Sequence, residues 1–260
     1  MPRFEDTEIS KAIMSVYHEK LLDGIISDVI AVGAGPASMT AAIHLARKGL
    51  KVAVLERRLA PGGGVWGGGM AMSEVVVQEE VLPILDDIGV RHKPWGNNLH
   101  TADSVELASA LCVKTIQSGA ALLNLLTVED VSVHGNRVTG VVVNRTMISG
   151  ALHVDPITFS AKAVIDGTGH DASVVEFLRK HGLLDDSSLP KRLCEGPMDA
   201  FSGEEFVVEN VAEVYPGLWV TGMSVCAVLG GPRMGPIFGG MLLSGKRVAE
   251  LIHASLTKSG

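Results

Sequence analysis

Residues 29–38 read Val29-Ile30-Ala31-Val32-Gly33-Ala34-Gly35-Pro36-Ala37-Ser38. The first four form a short uninterrupted apolar run, the pattern of a parallel strand buried on both faces. Gly33 to Gly35 turn the chain, Ser38 to Lys48 carry a helical pattern, and Gly49 stops it. Lys51 to Leu55 form a second strand that closes on Glu56. Strand, glycine turn, helix and strand together predict the nucleotide-binding unit of a doubly wound α/β sheet. Gly33 permits the tight turn, and Gly35 lets the backbone approach a pyrophosphate. The helix N-terminus supplies unpaired N–H groups and a positive dipole end. Ser38 replaces a third glycine; it is small enough to keep the helix close, and its hydroxyl can donate to a phosphate. Glu56 follows Gly35 by 21 residues, where an acid accepts hydrogen bonds from an adenosine ribose. The pattern predicts an ADP-containing ligand, against a plain βαβ unit that binds nothing.

Outward from this unit, an amphipathic helix is expected over residues 6–22, with Ile9, Ile13, Val16 and Tyr17 at helical spacing and Asp6 or Thr7 as cap. Further helices are expected at 79–88, 103–118, 172–181 and 239–255. Strands are expected at 120–126, 131–134, 138–145, 163–165 and 218–220, with Gly135-Asn136 as a hairpin turn. Residues 182–205 read as an irregular surface excursion. With no repeat and no linker, 1–260 reads as one dinucleotide-binding α/β domain carrying a β-rich insert at about 127–160. The segments 163–169 and 216–222 look like elements of two-dinucleotide-binding-type flavoproteins, so the expected fold is Rossmann-like, of the FAD/NAD(P)-binding kind. In that group the second element ends in Gly-Asp; here Met223 stands at the Asp position, which argues against flavin.

Composition narrows the function. The chain is 47% hydrophobic and 20% charged, which excludes intrinsic disorder. A net charge of −7 without a basic run argues against nucleic acid and anionic membranes as partners. No apolar stretch reaches the ~18 residues of a membrane span, and the start lacks the pattern of an export signal. Cys112, Cys194 and Cys226 are scattered, odd in number and best read as small buried hydrophobes, consistent with a reducing cytoplasm. A mean hydropathy of +0.30 suggests buried subunit interfaces.

Two glycine clusters stand out. Residues 62–69 hold six glycines in eight positions, a large entropic cost that points to close ligand approach or a closing loop. Residues 230–240 hold one cation, Arg233, suited to bidentate recognition of a carboxylate. His153 and Asp155 are two apart, so on an extended segment their side chains share a face. His170 follows the strand-end Gly167-Thr168-Gly169. Histidine plus carboxylate with open positions suits ferrous iron, although these residues alone favour hydrogen-bonded structural histidines.

The blocks 33–38, Leu55-Glu56-Arg57, 61–69 (Pro-Gly-Gly-Gly-Val-Trp-Gly-Gly-Gly), Gly169-His170-Asp171 and 231–236 (Gly-Pro-Arg-Met-Gly-Pro) together resemble the thiamine thiazole synthase family, from about residue 10 to 252. The resemblance implies a pentosyl-transferase-class enzyme that builds the adenylated thiazole carboxylate precursor of thiamine from NAD, glycine and a sulfur source. In the eukaryotic branch the sulfur donor is a cysteine two residues before an Asp-Pro pair. Here the pair is Asp155-Pro156, and His153 occupies the donor position. The sequence therefore resembles the sulfide-dependent branch, which turns over repeatedly with Fe(II). The family pattern implies Asp155 and His170 as iron ligands shared between adjacent subunits of a homo-octamer. It implies Ser38, Glu56, Arg57, Gly64, Val128 and Met223 as contacts to the NAD-derived part, and Arg233 as the glycine carboxylate ligand. His153, Asp155 and His170 are the catalytic candidates, the part played by His153 being open between base and ligand contact. Competing readings are an FAD-dependent oxidoreductase, a ribose 1,5-bisphosphate isomerase, and a non-catalytic NAD- or ADP-ribose-binding protein.

Overall fold

The computed structural model describes residues 4–184 and 194–258. In chain order the elements begin α1 (Asp6–Gly24), β1 (Ile26–Val32), α2 (Pro36–Arg47), β2 (Val52–Glu56), β3 (Glu74–Gln78), α3 (Leu82–Ile88), β4 (His92–Gly96), β5 (Leu99–Asp103), α4 (Ser104–Gln117), β6 (Ala121–Asn124), β7 (Leu126–His134) and β8 (Arg137–Arg145). They continue with β9 (Ile157–Asp166), α5 (Ser173–Lys180), β10 (Gly196–Met198), α6 (Ala200–Glu209), β11 (Ala212–Tyr215), β12 (Leu218–Val220), α7 (Met223–Leu229), β13 (Pro232–Arg233) and α8 (Gly239–Lys258).

The main sheet runs β11-β12-β9-β1-β2-β6, with β8 paired to β9 and β7 to β8. Its centre, β12, β9, β1, β2 and β6, is parallel throughout. This is the expected Rossmann-like α/β architecture. Val32 stands opposite both Leu55 and Asp166, and Asp166 opposite Val220, so the carboxyl ends of the central strands finish level. The crevice outside such ends is where open α/β sheets bind ligands. Residues 29–31 and 53–54 are fully buried, as an apolar run between two helical layers requires. Helix α2 packs on α8 so closely that a Cβ on Gly245 would lie 2.2 Å from the Ala37 carbonyl.

The antiparallel hairpin β7–β8 turns at Gly135-Asn136, both at positive φ. It joins the sheet because β9 pairs through its first half with β8 and through its second half with β1.

Several details differ from expectation. Helix α1 is capped by Glu5 in a capping box with Glu8, not by Asp6 or Thr7. Ile9, Ile13 and Val16 are exposed, so none of the described residues covers the apolar stripe. Within 182–205, residues 185–193 lie outside those described. Beyond them, β10 and α6 replace the irregular excursion, and Asp199 caps α6 by accepting from Ser202 N at 3.2 Å. Cys226 is buried, but Cys112 is half-buried and Cys194 exposed. A second sheet, β3-β5-β4, was not anticipated. Val75 and Val77 bury one face of β3 in the alternating pattern of a one-sided strand.

Candidate functional site

A cleft of about 940 Å³ opens at the carboxyl edge of the parallel sheet. Its first wall is the glycine turn. Gly33 adopts φ +86°, and a Cβ there would lie 2.8 Å from the Gly167 carbonyl, so only glycine fits between the ends of β1 and β9. Gly35 precedes the first turn of α2, with Pro36 at the position where a missing N–H costs nothing. Glu56 is 6% exposed, and its carboxylate holds the turn together. Oε2 accepts from Ala34 N at 2.8 Å and Oε1 from Arg58 N at 2.7 Å. Each oxygen keeps a lone pair for a ligand.

Ser38 does not line the cleft. It is fully buried, its Oγ has no partner among the described residues, and a Cβ on Gly167 would meet that Oγ at 1.9 Å. The position anticipated for a phosphate donor is thus the contact between α2 and the turn after β9.

The 62–69 cluster forms two 3-10 turns, Gly63–Gly67 and Gly69–Ala71. Gly63 and Gly64 line the cleft beside Gly35, and a Cβ on Gly63 would lie 3.2 Å from Gly35 Cα. Gly68 is held at φ +57°, where a Cβ would meet the Met72 carbonyl at 1.9 Å. Met70 and Ala71 also have positive φ, a strain found where surrounding structure fixes a ligand-binding loop.

A second part of the lining, beside the glycine turn, grows from Asp166 at the end of β9. Oδ1 accepts from Thr168 N at 3.0 Å, Thr168 Oγ1 at 2.7 Å and Ser224 Oγ at 3.2 Å. Oδ2 accepts from Val174 N at 2.9 Å and Val175 N at 3.0 Å, capping α5. Burial pushes the Asp166 carboxyl up from the usual range, while these donors pull it down. The carboxylate fixes the 167–173 turn, which presents His170 and Asp171 to the cleft. His170 Nδ1 bonds Glu195 Oε1, and Asp171 pairs with Arg57 at 3.4 Å. Val128 on β7, Met223 at the start of α7, and Arg57 also line the cleft. Arg233 lines the cleft from β13, which pairs with β10, and its carbonyl accepts from Asp199 N at 3.0 Å.

His153 and Asp155 are exposed and lie outside the cleft of this chain. The segment that carries them is irregular: turns close over 146–151, where Ile148 N bonds Arg145 O and Ala151 N bonds Ile148 O, residues 153–156 belong to no regular element, and β9 starts only at Ile157. No group of three metal-ligating side chains forms among the described residues. Within one chain, then, His170 is the candidate iron ligand in the cleft, and Asp155 is offered outward. Nitrogen and carboxylate donors of this kind suit Fe(II) once both reach one point.

Three residues of the site surroundings escaped sequence reading. Glu195 has no motif, and its contact with His170 spans 25 positions. Glu204 and Gln78 meet at the start of α8. Glu204 Oε2 bonds Gln78 Nε2 and accepts from Gly240 N at 2.5 Å, capping α8. Burial pushes the Glu204 carboxyl up to about 7. Cys226 nearby is pushed up to about 12 by burial and by Glu195 and Glu204, so it stays an unreactive thiol.

Fold and cleft together define a protein of the dinucleotide-binding α/β class. The Thi4 family model matches residues 10–238. Thiamine thiazole synthase from Pyrococcus abyssi is 48% identical over 252 residues, covering 96% of this chain and 98% of the relative. That from Methanothermobacter thermautotrophicus is 48% identical over 258 residues, 98% of this chain and 99% of the relative. The crystal structure of Thermovibrio ammonificans THI4 superposes with a TM-score of 0.93 at 43% identity, covering 98% of this chain and all of that one. The chain belongs to the Thi4 family. No described helix is long and apolar enough to cross a membrane.

Proposed function

We propose that this chain is a sulfide-dependent thiamine thiazole synthase. Family membership carries the coarser statement, an enzyme of thiamine biosynthesis acting in thiazole formation. The finer reading has NAD, glycine and sulfide as substrates, Fe(II) as the metal, and many turnovers per subunit. The observation that carries it is the convergence on one cleft of the glycine turn, Glu56, His170 and Arg233.

In this reading the adenosine ribose lies against Glu56, and the pyrophosphate against the N-terminus of α2 and the Gly63-Gly64 backbone. Arg57, Val128 and Met223 flank them. Loss of nicotinamide leaves ADP-ribose, whose sugar opens and isomerises to a ketone that condenses with glycine. Arg233 pairs with the glycine carboxylate, a charge-assisted contact that fixes the amine beside the ketone. Each step moves protons, and His170, Asp155 and His153 are the groups available as acid or base. Fe(II) held by His170 and by Asp155 of a partner subunit would supply Lewis-acid and templating chemistry for sulfide delivery. The exposure of Asp155 and of the α1 stripe agrees with a shared site in a homo-oligomer, for which we propose an octamer. His153, where a donor cysteine would stand, leaves free sulfide as the sulfur source. No flavin is needed, nor any nucleic-acid or membrane partner, and the proposed setting is the cytoplasm.

The test is an anaerobic incubation with Fe(II), NAD, labelled glycine and 34S-sulfide. The reading expects a thiazole adenylate carrying both labels. NAD left intact would defeat it and favour a binding protein.

A further inference from the structure

Glu195 immediately precedes strand β10, and its side chain is 12% exposed, whereas that of His170 is 58% exposed. The carboxylate is therefore the anchored partner and the imidazole the presented one. The anchor is firm. Gly196 N bonds Gly231 O at 2.8 Å, β10 pairs in parallel with β13, and β13 carries Arg233. His170 sits on a turn fixed independently by Asp166 through Thr168, and by Ser224, whose Oγ accepts from Gly169 N at 3.0 Å. Two separately anchored elements thus bring one carboxylate oxygen onto one ring nitrogen, Nδ1. An ionised carboxylate only accepts hydrogen bonds, so the proton of a neutral imidazole held there sits on Nδ1. Nε2 keeps its lone pair and has no protein partner among the described residues.

We propose that Glu195 is a positioning residue that locks His170 in the Nδ1–H tautomer and so reserves Nε2 for the metal. The inference rests on the reading of His170 as a metal ligand. A carboxylate behind a ligating histidine fixes the ring and raises its basicity, and losing such a partner typically weakens metal binding about 10–100-fold. The same ribbon holds Arg233, so the proposed metal-facing and carboxylate-facing groups keep one register.

The experiment compares the full-length protein with Glu195→Leu and Glu195→Gln. Solid-state 15N spectra of histidine-labelled, metal-free protein report the tautomer, with His170→Gln identifying the signal. Anaerobic Fe(II) titration reports affinity, and circular dichroism establishes that each variant folds. The expected result is Nδ1–H in the wild type, a shift toward Nε2–H in Glu195→Leu, and Fe(II) affinity about 10–100-fold lower. Glu195→Gln, which keeps an acceptor oxygen, should recover most of both. A folded Glu195→Leu with an unchanged His170 tautomer would overturn the proposal, as would Fe(II) affinity equal to wild type. A wild type that shows the locked tautomer but takes up no Fe(II) would instead defeat the iron reading and leave the Glu195–His170 lock standing.

Discussion

Glu56 ends β2 and accepts a hydrogen bond from Ala34 N, at 2.8 Å, in the turn that ends β1. The carboxylate expected to read the ligand's ribose is thus also a strut of the loop expected to cradle its phosphates. Replacing it by Gln puts an amide donor against one of two backbone donors, Ala34 N or Arg58 N. Glu56→Gln should lose about 2 kcal/mol of stability, the usual cost of a broken hydrogen bond to a charged group. It should also weaken ADP-ribose binding about tenfold or more. Denaturant unfolding and calorimetric titration measure the two losses, and a variant that loses only stability would remove Glu56 from the ligand.

Gly33 and Gly49 separate crowding from conformation. Both have φ above +80°, but a Cβ on Gly33 would meet the Gly167 carbonyl at 2.8 Å, whereas nothing lies within 4 Å at Gly49. Gly49→Ala should cost about 1 kcal/mol, from the positive φ alone. Gly33→Ala should cost at least ~2 kcal/mol and abolish ADP-ribose binding, because the ends of β1 and β9 must separate. Equal unfolding midpoints for the two variants would contradict this ordering.

Glu204 makes stability depend on pH. Its carboxyl titrates at about 7 in the fold, against 4.5 unfolded. Between these values the folded state binds more protons than the unfolded, so stability falls as pH rises. The contribution is fully present below about pH 4.5, declines up to pH 7, and amounts to roughly 3 kcal/mol. Urea unfolding across that window should show the decline, and Glu204→Gln should flatten it. An unchanged slope in that variant would assign the dependence to other groups.

Arg233 lines the cleft without a side-chain partner among the described residues. Arg233→Ala should raise the KM for glycine about 30-fold or more, the scale of a lost charge-assisted pair, with less effect on the KM for NAD. Arg233→Lys should recover little, since an ammonium cannot form the two-pronged contact. Initial rates against each substrate decide it.

What could be read in advance follows from local physics. The β1–α2–β2 unit was legible because burial on both faces demands uninterrupted apolar runs, and the turn demands glycine at Gly33. The hairpin was legible because Gly135-Asn136 needs positive φ twice. The sheet β3-β5-β4 was not, because β4 and β5 are largely exposed or half-buried and carry little apolar alternation. His153 and Asp155 share a face only on an extended segment, and a two-residue spacing does not say where that segment lies. Turns close over 146–151 just before them, and residues 153–156 form no strand. Ser38 was legible as a helix-start residue, but its depth depends on Gly167, which is distant in sequence. Glu195 and Glu204 act through tertiary contacts that leave no periodic trace.

The most direct test counts product. Under anaerobic conditions with Fe(II), NAD and glycine, thiazole adenylate is measured per subunit with and without sulfide. A sulfide-dependent catalyst forms many equivalents with sulfide and essentially none without it. One equivalent or less, formed equally well without sulfide, would mean that the protein supplies its own sulfur and would contradict the sulfide-dependent reading.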